Sequence, residues 1–534
     1  MLANTRTRLS NVEHAYDAVI IGGGITGAAI FHELARRGLN ILLVEQRDYS
    51  WGTSSRSSKM IHGGLRYLKR GNVKLSWQSV RAREQLMREL AGLVDPLNFL
   101  LVSNPSRQWE HWLVGALLPI YDLMAQNPRR HQRLSATQVH DLAPGFAADK
   151  VSGGYLYTDG VTDDARLVLR LINAGLAAGG TARNYCRANQ FLRDDAGAVH
   201  GIQLEDTVSG DEATVTAQTI INATGIWMNN LYGDAPLPYR IRPLRGSHLV
   251  LQRDRLPVDK AVVFQHDDDG RYVFVYPWET VTVVGTTDVD HGKIDTREPH
   301  ISAAEFDYLL RAVQTAYPAH AIDDKDIMAT FAGIRPIVDA KQGTPSAASR
   351  DHVVWQHDNV LTVAGGKYTT FRYMVADVAE HLQTHFPALH ATDVAAPVFD
   401  DDVEDMSMPA MIDAETACRL RGWYGAALVD VLALATPDDL MRIPGTPYLY
   451  GEIVWALQRE QVVYLEDLLL RRTRLGYLLP EGARSLRARL RDIAVNRCGW
   501  SEATFDAQWQ AYLEVWQRSY APQPFLADAV NVAV

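Results

Sequence analysis

Residues 16–45 constrain the fold of this chain more than any other stretch. Residues 16–21 (YDAVII) are apolar and β-branched and read as a short buried strand. Gly22, Gly24 and Gly27 then fit G-x-G-x-x-G. Apolar residues at helical spacing follow, Gly38 stops the helix, and residues 40–44 make a second apolar strand ending at Glu45. Each part has a physical task. Gly22 permits the tight turn, Gly24 lets a pyrophosphate approach the backbone, and Gly27 lets helix pack on sheet. The helix N-terminus offers N–H donors to an anion. An acid at position 45 suits a ribose hydroxyl and argues against a 2′-phosphate. A Rossmann-like dinucleotide unit is the expectation.

Directly behind it lies WGTSSRSSKMIHGGLRYL, residues 51–68. Thr53, Ser54, Ser55, Ser57 and Ser58 can reach pyrophosphate and ribityl oxygens. Gly63 and Gly64 allow backbone to pass close over a flat ring. Lys59, His62, Arg66 and Tyr67 add chemistry that a plain connection does not need. Two phosphorylated ligands meeting over one loop would explain the set: a dinucleotide on the Ser/Thr side and an anionic substrate on the Arg side.

The chain has 534 residues, so two or three domains are expected. Its net charge of −10 does not suit a nucleic-acid binder. Cys186, Cys418 and Cys498 are scattered and provide neither a disulfide framework nor a zinc site. A reducing compartment follows, and no metal is expected. No apolar run reaches the roughly 18 residues of a membrane span, and residues 1–15 show no secretory signal. Membrane contact would therefore be peripheral. Residues 109–124 (WEHWLVGALLPIYDLM) offer a place for it, with Trp and Tyr set to lie at headgroup level. The alternative is a buried helix pair broken at Pro119.

Further on, residues 155–164 read as a turn-rich entry to a helix over 165–178. Residues 218–221 form a strand running into Asn222-Ala223-Thr224-Gly225, a second close approach to the dinucleotide. From about residue 239 to 336 the pattern is that of a separate antiparallel sheet, with a hairpin at 272–276 and 281–285. His248 within it is a candidate base. Arg335 and Arg350 are candidate anion ligands. Residues 361–370 (LTVAGGKYTT) place Gly365, Gly366, Lys367 and Thr369 at a second glycine-marked helix start, with Lys367 as an anion ligand. Beyond about residue 397 every segment reads helical, and the arginine-dense stretch 468–479 reads as a charged face packing on the body.

At this point a family likeness is visible. GGGITG, TSSRSSKMIHGGLRYL, DDARL, NATG, RGSH, TTDV, GIRP, SRD, GGKYTT and RRTRLGYL occur in this order, and SSKMIHGGLRYL is highly specific. The chain resembles the FAD-dependent, aerobic, quinone-linked glycerol-3-phosphate dehydrogenases. The resemblance implies an α/β plus α+β architecture. A glutathione-reductase-type FAD domain would take 16–75, 150–235 and 336–395. An antiparallel-sheet substrate domain would take 76–149 and 236–335, and a helical C-terminal domain 396–534. It also implies oxidation of sn-glycerol 3-phosphate to dihydroxyacetone phosphate at the cytoplasmic membrane surface, with electrons passed to quinone. A homodimer is compatible with it. A glycerol-3-phosphate oxidase using O2 and a non-catalytic flavin-binding protein are the competing readings.

Position by position, Arg66, Tyr67, Arg335, Arg350, Lys367 and Thr369 match the family's substrate motifs. His62, His248 and Arg335 carry the expected catalysis, hydride leaving C2 while a base takes the hydroxyl proton. FAD would be held by Gly22, Gly24, Gly27, Glu45, Thr53, Ser54, Ser57, Ser58, Lys59, His62, Gly63, Gly64, Ala223, Gly225, Gly365, Gly366 and Lys367.

Overall fold

A computed structural model describes residues 6, 8–126, 129–233, 237–292, 297–339, 351–401, 403 and 406–522. Two sheets organise it. In the first, the apolar strand Ala15–Ile21 lies between Ile41–Val44 and Glu212–Asn222, all parallel. Val360–Gly365 extends the parallel set beyond Glu212–Asn222, and Thr181–Arg183 extends it beyond Ile41–Val44. His352–His357 closes one edge antiparallel. The central strands are continuous apolar runs because helices cover them, as parallel sheets require. Ile25–Arg36 and Asp164–Ala177 pack together there, with Ile30, Phe31, Leu167 and Leu171 fully buried.

The second sheet is mixed. The hairpin Tyr272–Trp278/Val281–Gly285 and the long strands Arg240–Gln252 and Ile327–Asp339 pair antiparallel. Ala261–Gln265 joins this group to Val94–Ser103 in parallel. Gly153–Thr162 then pairs antiparallel with Val94–Ser103, and the two-residue strand Met60–Ile61 pairs with Gly153–Thr162. Residues expected to be a turn-rich helix entry are thus an interior strand of this sheet. The loop of interest, residues 51–68, leaves the first sheet and threads into the second.

Pro119 does not break the tryptophan-rich segment. Gln108–Ala125 is one helix with Val114, Leu118 and Tyr121 buried beneath it. Trp109, Trp112 and Leu123 point outward at 61%, 60% and 77% exposure. No helix among the described residues is long and apolar enough to cross a membrane.

The C-terminal helices run from Ala414–Tyr424 to Glu502–Ser519. The arginine-dense stretch packs on the body, and its arginines are buried there rather than lying on a charged rim. Leu468–Arg472 forms a π-helical turn, and Arg471, Arg472 and Arg474 are all buried. Arg471 and Arg472 both meet Asp48, each at 2.6 Å, and Arg474 meets Asp163 at 2.8 Å. Burial alone would raise the Asp48 carboxyl, but Arg472 and Arg471 outweigh it and hold it below its ordinary value.

Candidate active site

The glycine turn behaves as its spacing dictates. Gly22 sits at φ +112°, and a Cβ there would stand 2.5 Å from the Ala223 carbonyl oxygen. A Cβ on Gly27 would stand 1.9 Å from the Gly22 carbonyl oxygen, so helix and turn touch backbone to backbone. The Glu45 carboxylate accepts from the Gly23 N–H at 2.7 Å and from the Arg47 N–H at 2.9 Å. Burial raises this carboxyl above the ordinary glutamate value, and the two amides partly offset that. Ser54 Oγ accepts the Ile25 N–H at 2.9 Å, covering the start of the helix.

These residues wall a cavity of about 480 Å³. Gly22, Gly24, Glu45, Thr53, Ser54, Ser57, Ala223, Gly225, Gly365, Gly366 and Lys367 line it, from one end to the other. Gly365 and Gly366, at φ +74° and +81°, turn the chain where it meets the cavity, and Lys367 and Tyr368 line it next to them. Ser55 is buried, and its carbonyl oxygen accepts from Lys59 Nζ at 2.7 Å.

The 57–67 loop, which enters the cavity wall at Ser57, meets two clusters. On one side, Lys367 Nζ donates to Ser79 Oγ at 2.7 Å and stands 4.6 Å over the Tyr67 ring. His62 stacks on the same tyrosine at 6.4 Å between ring centroids. Gly64, at φ +78°, starts the short helix Leu65–Lys69 and leaves room for the Tyr67 ring. Gly63 donates its N–H to Asp159 at 3.0 Å, and Thr369 is buried nearby in sequence.

On the other side, His248 Nε2 lies 2.8 Å from Ser58 Oγ and its ring stacks on Phe331 at 4.4 Å. Burial, then the Arg335 and Lys59 charges, holds His248 well below the ordinary histidine range, so the ring is neutral. Arg335 is braced by Asp288 at 3.1 Å and by Thr286 Oγ1 at 3.1 Å.

Several sequence-predicted residues sit elsewhere. Lys59 was expected at the dinucleotide. It is fully buried instead, its Nζ 2.8 Å from Asp164 and its ring neighbours Phe331 and Trp278. Burial, only partly countered by Asp164, pushes its amine down to about 8. Gly27, Ser58, His62, Gly63 and Gly64 shape the surroundings without walling the cavity. Arg66 is exposed on the short helix, and Arg350 lies outside the described residues. Sequence reasoning missed Trp227, Asn189 and Met374, which also line the cavity, and Ser79, Asp159 and Asp164 beside it. The two adjacent acids Asp163-Asp164 were the available signal, since a helix start needs only one cap.

Residues 17–374 match the FAD dependent oxidoreductase family, and residues 361–505 match the C-terminal domain of alpha-glycerophosphate oxidase. The chain belongs to the FAD-dependent oxidoreductases, and FAD is the dinucleotide that the glycine cradle, Glu45 and the long cavity fit. Within that class it is 30% identical to the aerobic glycerol-3-phosphate dehydrogenase of Staphylococcus aureus over 516 residues, 92% of each chain. Its fold resembles the glycerol-3-phosphate dehydrogenase from Bacillus halodurans complexed with FAD, with TM-score 0.75, 24% identity and 96% of each chain covered. It also resembles L-alpha-glycerophosphate oxidase from Mycoplasma pneumoniae, with TM-score 0.57, 20% identity, and 70% of this chain and 95% of that one covered.

Proposed function

We propose that this enzyme oxidises sn-glycerol 3-phosphate to dihydroxyacetone phosphate and passes the electrons to a membrane quinone. The observation that carries the reading is a pair of cations at the 51–68 loop, one of which, Lys367, lines the FAD cavity. Lys367 stands over Tyr67, on which His62 stacks, and Arg335 is braced on Asp288 within electrostatic reach of His248, which meets Ser58 of the same loop. A phosphate monoester calls for such charge-assisted donors. A single carboxylate does not need so many cations.

FAD, when bound, supplies the two-electron acceptor for the hydride leaving C2. The chain supplies the rest. Lys367, Tyr67 and Arg335 hold the phosphate and polarise the C2 oxygen. His62, half-buried over Tyr67, is assigned the proton acceptor's place. His248 is 1% exposed, resists protonation, and keeps Ser58 in place.

Peripheral membrane contact belongs to the same reading. Trp109, Trp112, Leu123 and Ile120 are exposed on one helix, with Lys69 5.3 Å over the Trp109 ring and Arg133 4.7 Å over the Trp112 ring. Aromatic bodies beside cations suit an anionic lipid surface. The test is turnover of sn-glycerol 3-phosphate with a quinone analogue, set against glycerol and the opposite enantiomer. Equal turnover of unphosphorylated glycerol would refute the phosphate clamp. Peroxide formed in step with substrate, with no response to quinone, would select the oxidase reading.

A further inference from the structure

We propose that Asp164 is a positioning residue for this site: its carboxylate, gripped by Arg474 of the C-terminal helices, fixes the Ser57–Lys59 turn that presents Ser58 Oγ to His248. The inference rests on the function proposed above.

Asp163 and Asp164 both start the helix Asp164–Ala177, and Asp164 Oδ1 accepts the Ala165 N–H at 3.1 Å, but their main partners differ. Asp163 Oδ1 accepts the Arg166 N–H at 2.9 Å and is the N-cap. Asp164 is 0% exposed and turns to the loop. Its Oδ2 accepts from the Ser57 N–H at 2.9 Å and from the Ser57 hydroxyl at 2.7 Å. Lys59 Nζ donates to both of its oxygens, at 2.8 and 3.0 Å. Arg474 Nη2 meets Oδ1 at 2.5 Å. One carboxylate therefore binds the residue before Ser58 and the residue after it.

The turn needs such a hold. Lys59 sits at φ +58°, a left-handed conformation that costs a side-chain-bearing residue free energy unless its surroundings impose it. They do: its N–H donates to Ser57 Oγ at 3.0 Å and its carbonyl accepts the Thr162 N–H at 2.9 Å. The remaining freedom in the turn is that of Ser58, whose hydroxyl reaches His248. The Asp164 carbonyl also accepts from Tyr368, the residue between Lys367 and Thr369, so the same position touches the strand end that carries the other cation. Lys59 and Arg474 against Asp163 and Asp164 make a neutral buried quartet. Such quartets favour one arrangement of the chain more than they favour stability.

The test uses full-length, FAD-bound protein and the isosteric Asp164→Asn variant. Its flavin content should stay within about twofold of wild type and its KM within about threefold, while the limiting rate of flavin reduction by sn-glycerol 3-phosphate falls at least about tenfold. A smaller loss, or a loss that simply follows flavin content, overturns the proposal. Should that variant not fold, Ser57→Ala carries the test. It should be at least about threefold slower and be restored by Ser57→Thr, and a smaller effect or no restoration overturns the idea. If sn-glycerol 3-phosphate fails to reduce the wild type, the substrate assignment falls. Asp164 is then judged on the visible circular dichroism of the bound flavin, which should change in Asp164→Asn; an unchanged spectrum overturns the proposal.

Discussion

A methyl group added at Gly27 has nowhere to go, because its position is 1.9 Å from the Gly22 carbonyl oxygen and backbone cannot give way there. Gly27→Ala should lose FAD, with affinity weakened at least about tenfold while the C-terminal helices stay folded; flavin content after gel filtration reads it. Full flavin retention would contradict the packing role. Arg335 presents the opposite case, a side chain held ready by Asp288 and Thr286 for a charge that arrives with substrate. Arg335→Ala should lower kcat/KM for the phosphorylated substrate on the order of a hundredfold or more, with far less change in flavin content. Unchanged activity would remove it from the clamp. At this scale the glycines were legible because each answers to a local need. Lys59 was not. A lysine in a serine loop beside a phosphate cradle reads as an anion ligand, and its carboxylate lies 105 positions away.

Among the elements, the helix Ile25–Arg36 carries an acid sensitivity that its apolar spacing hides. His32 lies under Phe399, and burial, then Arg36, pushes its imidazole down to about 4. A histidine whose folded value is depressed binds fewer protons than in the unfolded chain, so stability falls as pH drops below the unfolded value near 6.5. Between pH 7 and pH 5 this one group should cost about 2 kcal/mol. Urea unfolding of His32→Gln should lose that share of the acid dependence, and an identical pH response would exclude His32 as a source. The helix Gln108–Ala125 turns Trp109 and Trp112 outward, with Lys69 and Arg133 over their rings and His111 edge-on to Trp112. Changing both Trp109 and Trp112 to Ser should weaken binding to anionic vesicles at least about tenfold, with turnover of a soluble quinone analogue kept within about twofold. Equal vesicle binding would move the membrane contact elsewhere. The strand Gly153–Thr162 escaped sequence reading because Gly, Thr and Asp give it the composition of a turn. Its partner Val94–Ser103 supplies the order that composition does not.

At the scale of the molecule, two sheets and a helical region meet along one loop. The parallel sheet was readable from its continuous apolar strands, and the hairpin of the second sheet from the two β-rich runs flanking Pro277-Trp278-Glu279-Thr280. The arginine-dense stretch was readable as packing on the body, but not its partners, since Asp48, Asp163 and Asp164 lie more than 300 positions away in sequence. The cations of the proposed clamp come from positions 335 and 367, and only the fold brings them to the loop that holds His62 and Tyr67. The most direct measurement is anaerobic mixing of the purified yellow protein with sn-glycerol 3-phosphate, followed by quinone or oxygen. The flavin band should bleach on adding one equivalent of substrate and return faster with quinone than with oxygen. A band that glycerol 3-phosphate leaves untouched would contradict the assignment of this site.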